Sequence, residues 1–576
     1  MKLRGYLGLS ALIAICFSSV LWAQAGKATE RVLYNGKIFT AEPDRPYVEA
    51  VAIHGDKIVA VGTHAEVAKA VGKDAESVDL QGRVLLPGLI DSHQHALDGG
   101  ITFITADVGD KVETMDELAA FAADAKKTGK GMRGDILYIT GLPLEFWTKI
   151  DELNARFSSG AYADQPVLLA GSDGHTGWAN HALLRRTGVT KEFLTHLSKT
   201  ERRYYGFDSD LAPNGFVVDA SMDKVDAPLP DFSPEQLLQA GRAAIGYNHT
   251  LGITAWLEPS DASLPLATYR RDILMVYRSL SERGEMTVHV AAFPLIDPKV
   301  SGDQLAQVLA LQREFKDVPN LTVPGVKFFE DGVVEYPSHT AALSRPYRDG
   351  TNGELLFDPA RFAALATAAD KLGLIVHVHA IGDQAVKVAL DAIEAARKAN
   401  GNSGLPHTIT HIQFASPADV LRFRQLGVVA SMQLLWARGE PDTIEMIKPY
   451  IDPEIYQWQY PARSLLQAGA TIAGASDWSV SSPNVFEAMY YAETRKGVEG
   501  VLLPGERMPR EAMLYAYTRN SARAMNQLDR IGSIAPGKQA DFVLVDRDVL
   551  TVSAEELKET KVVWTMFGGQ IVYRAQ

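Results

Sequence analysis

Cysteine is almost absent from this chain, since Cys16 is its single occurrence in 576 residues. One cysteine cannot form an internal disulfide bond, which excludes a disulfide-stabilised fold for the chain. Clusters of lysine and arginine are also lacking, and the formal net charge is −13. Because phosphate binding requires a positively charged surface, we expect no nucleic-acid partner.

Long hydrophobic runs are confined to the N-terminus. Two basic residues precede the apolar segment Gly5–Trp22, and small residues occupy positions 23 and 25. This pattern is typical of a secretory signal peptide, so we predict that residues 1–25 are removed and that the mature protein is periplasmic or secreted. A retained anchor, or a lipid on Cys16, is the alternative. No later run is long enough to span a bilayer, so we expect no membrane association after cleavage.

Short β-branched segments mark both ends of the chain. Val48–Ile53 and Ile58–Val61 are joined by a His-Gly-Asp-Lys turn, which is typical of a β-hairpin. A Gly-Gly turn near the C-terminus joins two further strand-like segments. We therefore predict that residues 26–86 and 536–576 form one small β-sandwich, and that the catalytic domain, residues 87–535, is inserted between these two parts.

Strand and helix patterns alternate through the middle of the chain. One apolar segment ends just before His93, and seven others have strand character: Gly252–Leu257, Thr287–Phe293, Val326–Phe329, Leu374–His379, Thr408–Ile412, Val428–Met432 and Thr471–Ser476. Amphipathic helices lie between several of them, such as the helix that begins at Pro359. This alternation predicts a parallel sheet and an α/β fold of the (β/α)8 TIM-barrel type. The segment from about residue 99 to residue 234 is too long for a barrel loop, so we interpret it as an insertion after strand 1.

Residues able to bind metal stand at the ends of these strands, where barrel enzymes carry their catalytic groups. The candidates in chain order are His93, His95, Lys327, His379, His411 and Asp477. Alternate residues of an extended strand share a face, so His93 and His95 can bind one ion together. A hydrogen-bonded core histidine would explain any one position, but six convergent positions favour a metal centre. His377 shares a face with His379 and is a rival ligand.

Lys327 needs its own explanation, because a protonated ammonium would be repelled by metal ions. Burial and nearby positive charge favour the neutral amine of a lysine. A neutral amine can take up carbon dioxide, and the resulting carbamate can bridge two metals as a carboxylate does. The alternative is a lysine that pairs with Glu330 or Asp331.

Several motifs resemble those of the metal-dependent amidohydrolase superfamily. They are Leu86–His95, the single residues His379, His411 and Asp477, and the closing segment Ile531–Asp541. Within the superfamily, the chain is most similar to the amidohydrolase 3 branch, which includes N-substituted formamide deformylases. The segments that carry this second resemblance are His175–Asn180, Lys327–Gly332, Pro346-Tyr347 and His379–Asp383.

The resemblance implies a barrel with a β-sandwich and a centre of two zinc ions. By position, His93, His95 and Asp477 would bind one Zn²⁺, and His379 and His411 would bind the other. Lys327, as N6-carboxylysine, would bridge the two ions.

These residues predict hydrolysis of a C–N bond in a small molecule. Metal-activated hydroxide would attack an amide or formamide-type carbonyl, and Asp477 would pass the proton of the water to the leaving nitrogen. The candidate substrate-binding residues are His175, Trp178, Asp331, His339 and Trp436. His339 occupies a position just before Thr340-Ala341 where related sequences often carry arginine, so a cationic contact to the substrate is predicted to be absent. The alternatives are a hydrolase of a lactone, ester or cyclic amide, and a non-catalytic binding protein. A homodimer is a further expectation.

Overall fold

The computed structural model describes residues 30–259 and 266–576, apart from the side chains of Asp110 and of residues 266–272. The predicted signal peptide, residues 1–25, lies outside these ranges. Within them, none of the helices combines the length and the apolar character needed to cross a membrane.

Strands from both chain ends pair in one eight-stranded sheet. Val84–Pro87 runs antiparallel to Phe542–Val545, which joins the two ends directly. The predicted hairpin is confirmed, because Tyr47–His54 pairs with Lys57–Gly62 and places Ile53 opposite Ile58. The strand order is Gln570–Arg574, Val562–Phe567, Phe542–Val545, Val84–Pro87, Glu30–Phe39, Tyr47–His54 and Lys57–Gly62, with Glu76–Asp79 also paired to Glu30–Phe39.

The middle of the chain is mixed α/β, with parallel strands separated by helices. The central strands are β1 (Leu89–Asp91), β2 (Ile253–Pro259), β3 (His289–Phe293), β4 (Gly325–Phe329), β5 (Ile375–Ala380), β6 (Thr408–His411), β7 (Val429–Met432) and β8 (Thr471–Gly474). For each of the seven strands predicted with residue bounds, the first and last residues lie within two positions of those observed. The helices between and after these strands include Leu266–Glu282, Gln304–Phe315, Pro359–Lys371, Asp383–Asn400, Pro417–Leu426, Ala462–Gln467 and Val485–Thr494.

The central strands lie in two sheets whose edges are hydrogen-bonded to each other. One sheet contains β1, β2, β3 and the short strand Leu321–Thr322, and the other contains β4 to β8. Lys327 N donates to Pro294 O at 2.9 Å, which links β4 to the end of β3. Ser92 N donates to Gly474 O at 2.9 Å, which links β1 to β8. The carboxyl ends of β1 and β8 are therefore neighbours.

A separate layer is inserted between helix α1 (Ala96–Thr102) and helix α2 (Pro234–Thr250). We call residues 103–233 the cap. The cap contains a six-stranded sheet in the order Tyr205–Phe207, Pro213–Val218, Thr176–Ala179, Val167–Gly171, Ile136–Leu142 and Met132–Arg133. Its longest helix, Met115–Thr128, begins with a capping box between Thr114 and Glu117. The cap has its own apolar core, so it folds around contacts distinct from those of the central sheets.

Two glycines allow α1 to lie close to its neighbours. A Cβ atom on Gly99 would overlap the ring of Trp478, and one on Gly100 would overlap the backbone carbonyl of Ala240 in α2. Helix α1 begins directly after His95, so this close packing fixes the direction in which the chain leaves the histidine pair. The start of the cap is positioned by the same contact.

Gly100→Ala is expected to destabilise the protein, because the added methyl group meets rigid backbone. Overpacking of this kind costs about 1–3 kcal/mol of the free energy of unfolding. Gly246→Ala is the matched control. Gly246 lies in α2, the helix that Gly100 packs against, and a Cβ atom there has no neighbour within 4 Å. This control should stabilise the helix by about 0.5–1 kcal/mol. Thermal unfolding followed by circular dichroism checks both changes, and equal midpoints would contradict the packing described.

Candidate metal centre

Three side chains converge where the ends of β1 and β8 meet. His93 and His95 follow β1, and Asp477 follows β8. Asp477 Oδ1 lies 3.1 Å from His93 Nε2 and 3.3 Å from His95 Nε2. One nitrogen or oxygen atom from each residue lies within 4.8 Å of the other two. Ligand atoms on a tetrahedral zinc ion, with bonds of about 2.0–2.1 Å, are about 3.3 Å apart, so these separations fit a common ion.

The protonation states of these groups also fit a cation. Burial and the Lys327 charge lower the pKa of His93 well below its usual value, against the opposing effect of Asp477. Burial acts to raise the pKa of Asp477, but contacts with His93 and His95 hold it well below its usual value. A neutral imidazole and an ionised carboxylate are the forms that bind metals. Among the described residues, the buried atoms His93 Nε2 and Asp477 Oδ1 have no hydrogen-bond partner outside this group of three, as donors facing a shared ion would.

A second pair of histidines lies beside this group. His379 in β5 and His411 at the end of β6 have ring centroids 4.4 Å apart, and the His411 ring is 5.1 Å from that of His93. Burial lowers the pKa of His379, and it lowers that of His411 to about 3. Gln433 Oε1 lies 3.1 Å from His411 Nδ1 and accepts a hydrogen bond from it. The lone pair of His411 Nε2 is therefore available to a metal ion. The structure therefore brings five of the six predicted ligands together.

Lys327, the sixth predicted ligand, is buried among these imidazoles. It lies in β4 beside His377 of β5, and 1% of its surface is exposed. Its Nζ atom lies 5.5 Å from the centre of the Phe329 ring. The Lys327 charge contributes to the lowered pKa of both His379 and His411.

The backbone is in the left-handed region at three residues of the centre. The φ angles are 74° at His411, 49° at Ile412 and 59° at Asp477. For residues other than glycine, such conformations cost of order 1–3 kcal/mol of stability, and they persist where the surroundings enforce them. Asp477 N donates to His93 O at 2.8 Å, and this bond holds one of the strained residues in place.

Asp91 supports the centre but was not predicted. Its Oδ1 atom accepts hydrogen bonds from His93 N at 3.0 Å and from Ser476 N at 3.1 Å. One carboxylate therefore ties the ligand segment after β1 to the ligand segment after β8. Burial raises the pKa of Asp91 to about 7. Its place two residues before His93, at the end of an apolar strand, is the signal that could have identified it.

Asp331, a predicted substrate-binding residue, is fully buried beneath the centre. Its carboxylate accepts three backbone hydrogen bonds, from Ala342, Ile381 and Gly382, at 2.8–2.9 Å. Burial raises the pKa of Asp331 to about 7, against the effect of these bonds. Its Oδ1 atom is also 3.8 Å from His379 Nε2. Asp331 thus fastens the segment after β4 to the segment that follows His379.

The cap contributes His175 to the centre. The His175 ring lies 5.7 Å from that of His379 and 5.4 Å from that of Phe329. Asp219, which was not predicted, holds His175 through a contact of 2.6 Å between Oδ1 and Nδ1. Trp178, also a predicted substrate-binding residue, lies instead in the core of the cap, where its Nε1 donates to Asn214 O at 3.2 Å.

Two aromatic side chains flank the histidines. Trp436, after β7, lies parallel to the His411 ring at 5.6 Å, and Phe329 stacks on His379 at 3.8 Å. Both are partly exposed, so they can line a substrate pocket. His339, the remaining predicted substrate-binding residue, stacks on Tyr347 at 4.5 Å and is 8% exposed.

Comparisons with known proteins identify the family of this chain. Residues 76–573 match the Amidohydrolase family. Protein LONG AFTER FAR-RED 3 of Arabidopsis thaliana is 30% identical over 564 residues, which cover 95% of this chain and 92% of that protein. An N-substituted formamide deformylase of Arthrobacter pascens is 25% identical over 565 residues, which cover 94% and 98%. The crystal structure of an uncharacterised metal-dependent hydrolase from Pyrococcus horikoshii OT3 has a similar fold, with a TM-score of 0.68, 24% identity and coverage of 92% and 99%.

Added Zn²⁺ is expected to stabilise the metal-free protein, because a ligand that binds the folded state shifts the unfolding equilibrium. The gain is about 2.7 kcal/mol when the free ion is at 100 times its Kd. His95→Ala removes one of the three converging donors and should abolish most of the rise in thermal midpoint. His196→Ala, at an exposed histidine of the cap, is the matched control and should retain the rise. An undiminished rise in His95→Ala would place the metal elsewhere.

Proposed function

This chain belongs to the amidohydrolase family, and from that membership we propose that it hydrolyses a C–N bond in an amide or formamide-type substrate. As a member of the family, it is a metal-dependent hydrolase of small molecules. The observation that carries the proposal is the convergence of His93, His95 and Asp477 on one position, with His379 and His411 beside them. The formamide deformylase activity named for the relative from Arthrobacter pascens supports the choice of bond.

We also propose that the metal is zinc, with two ions per chain bridged by carboxylated Lys327. Neutral imidazoles and a carboxylate are usual ligands of zinc. His379 and His411 supply donors for a second ion next to the first group. Lys327 is buried among imidazoles, where an ammonium group is disfavoured and a carbamate would balance the positive charge of two ions.

The two central sheets are proposed to close into an eight-stranded barrel. The support is the hydrogen bonding at both seams, from Lys327 N to Pro294 O and from Ser92 N to Gly474 O. Such closure places the carboxyl ends of all eight strands around one mouth, where barrel enzymes hold their catalytic residues.

Asp477 is the proposed proton carrier of the reaction. The chemistry that a bound divalent cation supplies is Lewis acidity, which lowers the pKa of water from 15.7 towards about 7. Asp477 is 7% exposed and ionised, so its carboxylate can accept a proton from water and return it to the departing nitrogen. This transfer lets the amine leave as a neutral molecule.

The substrate is held between the cap and the aromatic side chains. Asp219 accepts a hydrogen bond from His175 Nδ1, so His175 in its protonated form can donate a second hydrogen bond from Nε2 to the carbonyl or carboxylate of the substrate. Phe329 and Trp436 cover His379 and His411 on the sides where they stack, which excludes water there. These apolar faces favour a hydrophobic N-substituent or N-acyl group.

Lactones, esters and cyclic amides are the alternative substrates, since one such centre serves several bonds. Export after removal of residues 1–25 is also proposed, because the basic start, apolar segment and small residues at positions 23 and 25 match a signal peptide. A homodimer stays a prediction.

Purified protein supplied with Zn²⁺ is expected to release amine from N-substituted formamides or N-acyl amino acids. Asp477→Asn should lower kcat by about 100-fold or more, because acid–base catalysis contributes about 10²–10⁴-fold. Amine release is measured with a fluorogenic amine reagent, and bound metal is measured in the same samples. Hydrolysis of lactones without amine release from any amide would contradict the proposed bond, and full activity of Asp477→Asn would contradict the proton carrier.

His175→Ala is expected to raise KM about 10-fold or more while the bound metal stays unchanged. A hydrogen bond to a charged group contributes about 1.5–3 kcal/mol, and its loss weakens substrate binding accordingly. His181→Ala, at an exposed position of the same cap, is the control. Steady-state kinetics on the best substrate of the panel give both constants. Unchanged kcat and KM in His175→Ala would remove this residue from the substrate site.

A further inference from the structure

We propose that His377 is a positioning residue that selects the tautomer in which His93 can bind metal, and that His377 is not itself a ligand. The inference rests on the proposed metal centre and concerns a residue of β5 that lies beneath it.

The contact between the two histidines is short and fully buried. His93 Nδ1 lies 2.6 Å from His377 Nε2, and the two rings are 4.9 Å apart with an interplanar angle of 24°. Neither side chain has exposed surface. A nitrogen–nitrogen distance of this length is a hydrogen bond, so one of the two atoms carries a proton and the other accepts it.

The direction of this hydrogen bond decides whether His93 can be a ligand. A neutral histidine has one protonated ring nitrogen and one that can accept or bind metal. If His377 Nε2 donated the proton, His93 would keep its own proton on Nε2, the atom that faces Asp477. If His93 Nδ1 donates, Nε2 offers a lone pair to the metal. Metal binding through Nε2 therefore requires His377 to act as the acceptor.

The position of His377 agrees with the role of acceptor and not with that of ligand. Its Nε2 atom is already occupied by His93. As the acceptor of that bond, a neutral His377 carries its proton on the buried Nδ1 atom, and a protonated nitrogen cannot bind metal. The Phe293 ring lies 5.5 Å from the His377 ring.

The pair His377 and His379 therefore differs in function from the pair His93 and His95, although both have the same spacing. Residues two apart in a strand are about 6.6 Å apart along its axis. His379 lies next to His411 at the end of its strand, whereas His377 lies one layer deeper, beside Lys327. His379, near the end of the strand, is therefore placed as a ligand, and His377, two residues earlier, is placed to support His93.

Metal binding by the full-length apoprotein tests this role without any substrate. Co²⁺ and Zn²⁺ are titrated into chelator-treated protein, and affinity, stoichiometry and the Co²⁺ absorption spectrum are recorded. His377→Gln keeps an acceptor oxygen near the position of Nε2, whereas His377→Asn is too short to reach His93. We expect His377→Asn to weaken metal affinity by about 10–100-fold, as is typical when a partner of a ligand is lost, with the number of bound ions unchanged. His377→Gln should recover most of the affinity.

The matched control is His249→Leu. His249 is 4% exposed and its Nε2 atom lies 2.8 Å from Thr287 O, so this change removes a buried histidine of α2. It should lower the thermal midpoint and leave metal affinity unchanged, which separates positioning from general loss of stability.

Three outcomes would overturn the inference. Loss of one bound ion and an altered Co²⁺ spectrum in both His377→Gln and His377→Asn would make His377 a ligand. Wild-type affinity in His377→Asn would mean that His377 does not position His93. Failure of the wild-type protein to bind either ion would overturn the metal centre as a whole, and this role with it.

Discussion

The seam between β1 and β8 is the constraint on which the rest of the centre depends. Asp477 N donates to His93 O across this seam, and the Asp91 carboxylate binds the backbone of both His93 and Ser476. Donor atoms from nearly opposite ends of the catalytic segment are thereby held about 3 Å apart. Without this seam, the histidine pair and the Asp477 carboxylate would lie at separate strand ends, since hundreds of residues lie between them in the chain.

Holding these groups together costs free energy that other contacts must offset. His411 and Asp477 adopt left-handed backbone conformations, and Asp91 and Asp331 bury carboxylates whose pKa values rise to about 7. Backbone N–H groups bind both carboxylates, which converts a costly burial into a rigid connection between segments. The centre is thus kept in place by carboxylates that bind the segments carrying the candidate ligands.

The sequence predicted the central strands and the converging ligands well, because both follow from periodicity. Alternation along a strand places His93 and His95 on one face, and parallel strands place their ends at one edge. Apart from Asp91, supporting residues could not be found in this way. Asp219 is far from His175 in the chain and meets it only through the pairing of the cap strands. The same pairing directs Trp178 into the core of the cap, and the left-handed conformation of Asp477 follows from its surroundings and not from its own preference.

The insertion of the cap between α1 and α2 separates two properties of the enzyme along the chain. Strand ends provide the converging donors His93, His95 and Asp477, whereas His175 and Asp219 come from the cap. Under the proposed function, the metal donors and one of the substrate contacts are therefore encoded in different segments, so substitutions in the cap are a route to new substrate preferences that leaves the donor residues unaltered.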